Sequence, residues 1–265
     1  MKVAVTGANG FLGRGIVAEL ASRGHEVVAV DMRCDRVEGA TRTIERSAFE
    51  MEDPYTEMSS PDCVLHLAWR DGFSHNSSAH MEDLPAHVKF IRKLTVSSLS
   101  RLAVMGTMHE VGYFEGGIRA ETPCMPQSMY GIAKNALRQV ANLLATESGT
   151  ELLWLRGYYI VDNTQYGSSI FSKICQAAAE GKRTFPFTMG QNQYDFLDYG
   201  EFCMQVSDIV AGADGSGIYN ICSGKPEKLA DRVERFIVEN ELSINLEYGA
   251  FPDRPYDSPA VWGHR

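Results

Sequence analysis

Short apolar runs alternate with apolar residues at helical spacing through the first half of the chain. Lys2 to Val5 is such a run and ends in Thr6-Gly7. From Phe11 to Ser22, the residues Phe11, Leu12, Ile16, Val17 and Leu20 fall on one helix face, and Arg23-Gly24 stops the pattern. Glu26 to Val30 is a second β-branched run, closed by Asp31. A strand, a helix and a strand within about thirty residues form the βαβ unit of a parallel sheet. The rhythm continues, with strands predicted at Cys63 to Leu67, Leu99 to Met105 and Glu151 to Arg156. Helices are predicted at Leu84 to Leu94 and at Ser128 to Ala145, the second closed by Ser148-Gly149. Arg42 to Arg46 and Pro54 to Met58 fit a short strand and a short helix.

Beyond Arg156 the alternation loosens. Ile170 to Glu180 and Phe202 to Val210 read as helices, Gly217 to Cys222 as a strand and Pro226 to Asn240 as a helix. Thr184 to Gln193, with Pro186 and Gly190, reads as irregular. Repeated βα units imply an α/β fold, a doubly wound parallel sheet covered by helices on both faces. The expected division is a dinucleotide-binding domain over residues 1–160 and a smaller substrate lobe over 161–265, some of whose strands return to the sheet. Such a lobe would close over the carboxyl edge of the sheet, where open α/β folds bind ligands.

Composition narrows the function classes. The chain has 265 residues and a formal net charge of −9. That balance argues against a nucleic-acid partner, which needs a basic footprint. No apolar run reaches the roughly 18 to 20 residues that span a bilayer. The opening MKVAVTGANG lacks the apolar core and cleavage site of a signal peptide, so a cytoplasmic protein is expected. Six scattered cysteines without a CxxC pair point to free thiols rather than disulfides or zinc. His75 and His80 lack the spacing that would complete a metal site.

The first chemical signal is Thr6-Gly7-Ala8-Asn9-Gly10-Phe11-Leu12-Gly13, directly after a strand and at the mouth of a helix. Gly7 suits a tight turn, Gly10 lets backbone approach a pyrophosphate, and Gly13 lets helix pack on strand. The helix N-terminus offers unpaired N–H groups and partial positive charge to phosphate. Together these predict a Rossmann-type dinucleotide site. Asp31, at the end of the second strand, can accept from the adenosine ribose hydroxyls and repel a 2′-phosphate, which favours NAD. Arg33 or Arg36 could instead hold the extra phosphate of NADP.

The second signal is Tyr130 and Lys134, four residues apart on a predicted helix and so on one face. The ammonium is expected to lower the phenol pKa, fitting Tyr130 for proton transfer at a carbonyl or alcohol. Thr107, just past the Leu99 to Met105 strand, falls at the same sheet edge and can hydrogen-bond the substrate oxygen.

In these residues the sequence strongly resembles the extended short-chain dehydrogenase/reductase superfamily, in particular its nucleotide-sugar epimerase/dehydratase group. The likeness runs through Thr6 to Gly13, Asp31, Asp53, His66-Leu67-Ala68, Gly106-Thr107, Pro126 to Tyr130 with Lys134, and Leu155-Arg156. It continues through Tyr194-Asp195-Phe196, Tyr219 to Ile221, Ser223-Gly224 and Arg254-Pro255. The resemblance implies that Gly7, Asn9, Gly10, Phe11, Leu12 and Gly13 hold the cofactor with Asp31, Met32 and Arg33. It implies that Asp53 touches the adenine, that Leu67, Ala68 and Trp69 pass beneath the cofactor, and that Thr107, Tyr130 and Lys134 are catalytic, with Tyr130 and Lys134 also binding the cofactor, Lys134 at the nicotinamide ribose. Phe73, His75, Met108, His109, Tyr159, Tyr194 and Arg254 are the candidate substrate contacts.

Departures from the family pattern shape the expected reaction. Met108-His109 stand where dehydratases carry Asp-Glu, which argues against water loss; His109 and Glu110 remain candidates for acid–base work. Tyr194 replaces an arginine and Tyr159 an asparagine that commonly meet the substrate. The polar stretch from Trp69 to His80 could reach over the sugar. The expectation is an NAD-dependent epimerase or oxidoreductase acting on a nucleotide-linked sugar through a transient ketone. The alternatives are an NADPH-dependent keto-sugar or carbonyl reductase and a non-catalytic dinucleotide sensor. The resemblance also suggests a homodimer paired through the helices around Leu84 to Leu94 and Ser128 to Ala145.

Overall fold

The structure, a computed structural model, describes residues 1–165, 167, 169–213, 215–252 and 258–264. It divides into two compact units. The first comprises Met1–Gly112, Pro123–Gly157 and Gly200–Ile221; the second comprises Tyr113–Thr122, Tyr158–Tyr199 and Cys222–Arg265.

The first unit holds strands β1 (Lys2–Thr6), β2 (Glu26–Asp31), β3 (Arg42–Glu45), β4 (Cys63–His66) and β5 (Arg101–Thr107). β7 (Glu151–Gly157) and β11 (Gly217–Ile221) complete its sheet. All pair in parallel, in the order β11-β7-β5-β4-β1-β2-β3. The chain winds outward from β1 to β3, then returns and winds the other way from β4. The order therefore reverses between β1 and β4, which puts a crevice at their carboxyl ends. Thr6 is in register with His66 there. β1, β4 and β5 are buried apolar runs, as strands covered on both faces must be.

Helices α1 (Phe11–Ser22), α2 (Pro54–Glu57), α3 (Ala79–Thr95) and α4 (Met129–Ser148) lie between these strands, and α6 (Tyr199–Gly212) leads into β11. α1 has the predicted bounds, buries Ile16, Val17 and Leu20, and ends before a left-handed Gly24. α4 stops at Gly149, whose φ of 76° only glycine adopts cheaply. α3 and α4 bury Phe90, Ile91, Leu94, Leu137 and Ala141 in one core with Leu102, Val104 and Trp154 of β5 and β7. α3 begins at Ala79, five residues before the predicted start, and carries Pro85 within it. β5 runs on to Thr107, which is its last residue rather than a residue past the strand end at Met105.

The second unit contains strands that the sequence pattern leaves unread. β6 (Gly116–Ile118), β8 (Tyr159–Val161), β10 (Gln193–Asp198), β12 (Pro226–Lys228) and β14 (Ala260–Gly263) form its main sheet. β9 (Thr184–Pro186) pairs with β13 (Asn245–Glu247), so part of the expected irregular stretch is a strand. The helix expected from Pro226 is β12 followed by α7 (Leu229–Glu239); α5 (Ile170–Ala179) is the remaining helix. Asp195 of β10 is fully buried and ties this unit together. Its Oδ1 accepts from the Ser223 backbone and hydroxyl, both at 2.7 Å, and its Oδ2 from Gly224 N at 2.9 Å and Gly263 N at 3.1 Å. Among the described residues, no helix is long and apolar enough to cross a membrane, and no side-chain cluster is arranged to hold a metal ion.

Candidate active site

The glycine turn leaves β1 and enters α1. Gly7 has a φ of 71°, and a Cβ there would stand 2.7 Å from Ala68 N, so the turn can pass against Ala68 only as glycine. A Cβ on Gly13 would stand 2.2 Å from Gly7 O; this contact fixes the start of α1 on the strand. Gly10 is the α1 N-cap and supplies no side-chain cap. The first turn of α1 carries no acidic residue, so its N–H groups remain suited to an anion.

Asp31 ends β2 beside this turn. Its two oxygens accept from Asn9 N at 2.9 Å and Met32 N at 2.7 Å, which fixes the carboxylate with lone pairs to spare for a diol. The Asn9 side chain is occupied elsewhere, donating to Asp35 and accepting from Arg36 N. Met32, Arg33 and Arg36 are exposed. Phe11 and Leu12, the first residues of α1, are partly exposed, as are Leu67 and Ala68 just past β4. Asp53 is an exposed N-cap of α2; hydrogen bonds from Thr56 hold its carboxyl below the usual range. These residues fit a dinucleotide: a glycine cradle at a helix N-terminus and an oriented carboxylate one strand away.

Tyr130 and Lys134 stand on the first turns of α4. Ser128 caps that helix by accepting from Gly131 N at 3.1 Å. The segment between β4 and α3 completes the cap: Tyr130 N donates to His75 O at 2.8 Å and Met129 N to Asn76 Oδ1 at 3.3 Å. The polar stretch therefore has a local function, satisfying helix donors that otherwise lack partners. Gly131 brings α4 close to the turn after β5, since a Cβ there would meet His109 O at 2.3 Å. This approach brings the Tyr130 hydroxyl next to the Thr107 side chain, close enough to affect its ionisation. The Thr107 Oγ1 also accepts from His109 N at 3.3 Å.

The electrostatics depart from the expected tuning. Burial pushes the Tyr130 phenol up to about 12, against the lowering effect of Thr107. Burial brings the Lys134 ammonium down to about 7, with Glu110 partly opposing the shift. Lys134 donates to Met105 O at 2.7 Å. The protein by itself thus holds a protonated phenol beside an amine poised near neutrality. A lone lysine does not bring Tyr130 into the neutral range, because burial penalises both charged forms.

Histidines surround the phenol. His75 stacks on Tyr130 with centroids 5.4 Å apart, and His109 lies 4.3 Å from His75. Burial, then the proximity of His75, lowers His109 to about 3, so it is neutral at pH 7. Behind them runs a buried chain in which Thr6 Oγ1 meets His66 Nδ1 at 2.7 Å, and His66 Nε2 meets His87 Nδ1 at 2.8 Å. Met108 is buried and Phe73 exposed.

Glu110 does not face this cluster as an acid or base. It is fully buried and accepts from Trp154 Nε1 and Arg156 Nε, each at 3.0 Å, with Arg138 Nε at 3.4 Å. Sequence reasoning missed this role; the motif Leu155-Arg156 was its visible trace. In the second unit, Tyr159 and Tyr194 meet with ring centroids 4.7 Å apart. Arg254 lies outside the described residues.

The chain matches the profile described as "NAD dependent epimerase/dehydratase family" over residues 3–222. It is 39% identical over 269 residues to a dTDP-6-deoxy-L-talose 4-dehydrogenase (NAD(+)) of Aggregatibacter actinomycetemcomitans, covering 99% of each chain. The solved structure of MoeE5 with UDP-glucuronic acid and NAD superposes with a TM-score of 0.84 at 22% identity, covering all of this chain and 90% of that one. The UDP-glucose 4-epimerase of Thermotoga maritima gives 0.83 at 18% identity, with the same coverage. The two solved structures share the Rossmann-type fold, whereas the Aggregatibacter relative and the profile carry the family and its cofactor, NAD. The chain is an NAD-dependent enzyme and belongs to the NAD dependent epimerase/dehydratase family.

Proposed function

We propose that the protein transfers hydride between NAD and the C4 position of a nucleotide-linked 6-deoxyhexose, interconverting a secondary alcohol and a ketone. The juxtaposition of Thr107 and Tyr130, with the buried Lys134 one turn further along α4, carries this reading. When bound, NAD in its oxidised form supplies a hydride acceptor and a positive charge beside the phenol. In the oxidative direction the Tyr130 phenolate takes the hydroxyl proton as hydride leaves the same carbon and the C=O bond forms. In the reductive direction the Tyr130 hydroxyl returns that proton to the oxygen. Thr107 holds the oxygen by a hydrogen bond throughout, and the Lys134 ammonium offsets negative charge on the phenol. The identity with the Aggregatibacter dehydrogenase over nearly the full length of both chains supports the dTDP-6-deoxy sugar and the C4 position. Asp31 supports NAD over NADP.

Dehydration does not fit the residues after Thr107. Met108 is apolar, His109 is neutral, and Glu110 is bound to Arg156 and Trp154. A homodimer through α3 and α4 fits the exposed Met81, Ile132 and Leu143 on those helices. A cytoplasmic site of action fits the free cysteines, five of them buried.

The test incubates purified protein with dTDP-6-deoxy-L-talose and NAD and follows nicotinamide absorbance and the sugar product by NMR. Formation of NADH with the 4-ketone supports the reading. A C4 epimer with no net NADH would replace dehydrogenase by epimerase. Wild-type turnover in Tyr130→Phe would end the assignment.

A further inference from the structure

The Lys134 ammonium is buried, with its side chain in a residue only 3% exposed, yet its direct hydrogen bond goes to a neutral carbonyl, Met105 O. The carboxylate within electrostatic reach, Glu110, is engaged with Trp154, Arg156 and Arg138. What lies against the ammonium is an aromatic face: Lys134 Nζ stands 3.8 Å from the centre of the Trp69 ring. That is well inside the about 6 Å at which a ring quadrupole attracts a cation, and the site is dry.

The ring is itself held. Trp69 Nε1 donates to His80 Nδ1 at 3.1 Å, and His80 Nε2 meets Ser74 O at 3.0 Å. An indole N–H can only donate and a carbonyl can only accept. These two bonds therefore fix His80 as the neutral tautomer with its proton on Nε2. The opposite support is His87, whose ring stacks on Trp69 with centroids 4.4 Å apart. His87 is kept uncharged by burial and by Lys134 itself. The indole plane is thus fixed at its N–H edge and on its face.

We propose that Trp69 is a positioning residue for catalysis: its indole face, locked by His80 and His87, holds the Lys134 ammonium where a carboxylate would otherwise be needed. A carboxylate there would neutralise the charge that Tyr130 needs in order to ionise. A π face stabilises the cation without doing so, and it rests on the catalytic reading of Lys134 given above. The titratable groups within electrostatic reach of the ammonium are His66 of β4, His87 of α3 and Glu110 after β5, with Tyr130 one turn before it on α4.

The experiment reads Lys134 directly in the cofactor-free protein. Lysine labelled with ¹³C at Cε is followed by NMR across pH, and Lys134→Met identifies the resonance. Trp69→Leu is expected to lower the Lys134 titration midpoint by about 0.4 to 1.5 pH units, the range of a desolvated cation–π contact. Trp69→Phe, which keeps a π face, is expected to recover part of that shift. The alkaline limb of kcat should move downward by the same amount in Trp69→Leu. A midpoint that is unchanged or raised in Trp69→Leu, or lowered equally by Phe and Leu, overturns the proposal. Circular dichroism confirms that each variant is folded. Wild-type turnover in Lys134→Met would instead overturn the catalytic reading, and the NMR midpoints would still report the contact.

Discussion

The Glu110 carboxylate accepts from Arg156 Nε at 3.0 Å with both side chains fully buried. The pair sits between β5 and β7, with Trp154 Nε1 donating to both carboxylate oxygens. Removing one partner leaves a buried charge without compensation, which costs about 3 to 5 kcal/mol. Glu110→Ala is therefore expected to lose roughly that much in urea unfolding. Because the Glu110 carboxylate is taken up by Arg156 and Trp154, the milder Glu110→Gln is expected to keep both limbs of the kcat pH profile, with the Lys134 limb moved downward because Glu110 supports that ammonium. A vanished limb at unchanged stability would show that Glu110 exchanges protons in turnover.

Gly131 sets the distance between α4 and the turn carrying Thr107. A methyl group there would stand 2.3 Å from the His109 carbonyl, a contact that neither backbone can accept unmoved. Gly131→Ala is expected to push Tyr130 away from Thr107 and to lower kcat about 100-fold, the usual scale for an ångström of misplacement. The glycine turn at β1 is untouched, so NAD affinity by titration calorimetry should change little. Wild-type kcat in this variant would show that the Thr107 contact is dispensable.

The parts of the site that follow local rules were legible before the fold. Tyr130 and Lys134 share a face because an α-helix repeats every 3.6 residues. Thr107 falls at the sheet edge because its strand ends there. The glycine turn is visible because each glycine answers a steric demand within a dozen residues. Other features arise between segments far apart in sequence. Trp69, just past β4, meets Lys134 of α4, and Glu110, in the turn after β5, meets Arg156 of β7, so neither pairing leaves a periodic trace. β6 is three residues, two of them glycine, and is a strand only because it pairs with β14 about 140 residues later. The start of α3 was hidden because Ala79 to Asp83 is mostly polar and Pro85, inside the helix beyond its first turn, removes a backbone donor and reads as a helix breaker.

The buried imidazoles make stability fall in acid. Burial holds His66 well below its ordinary value, and His87 and His109 at about 3. In the unfolded chain each titrates near 6.5. Between about pH 6.5 and 3 the unfolded state thus binds more protons than the folded one. Each imidazole then removes about 1.4 kcal/mol of stability for every pH unit of acidification in that window. His87→Asn is expected to make the fall in unfolding free energy between pH 6.5 and 4 shallower by about that amount per unit. Identical slopes in urea melts of both proteins would mean that His87 is charged in the fold.

Asp195 is the acceptor of four donors in the second unit, two on each oxygen. Asp195→Asn changes almost no volume but turns one acceptor into an N–H₂ group. If the amide nitrogen replaces Oδ2, it faces the N–H groups of Gly224 and Gly263. If it replaces Oδ1, it faces Ser223 N, which cannot turn away as the hydroxyl can. Either orientation leaves a buried backbone donor without its acceptor, at about 1 to 3 kcal/mol for each group lost. Asp195→Asn is therefore expected to lower the unfolding free energy by about 2 to 4 kcal/mol in urea melts of the full chain, and Asp195→Ala by more, since it strands all four donors. An Asn variant within about 0.5 kcal/mol of wild type would show that these four hydrogen bonds do not hold the unit together.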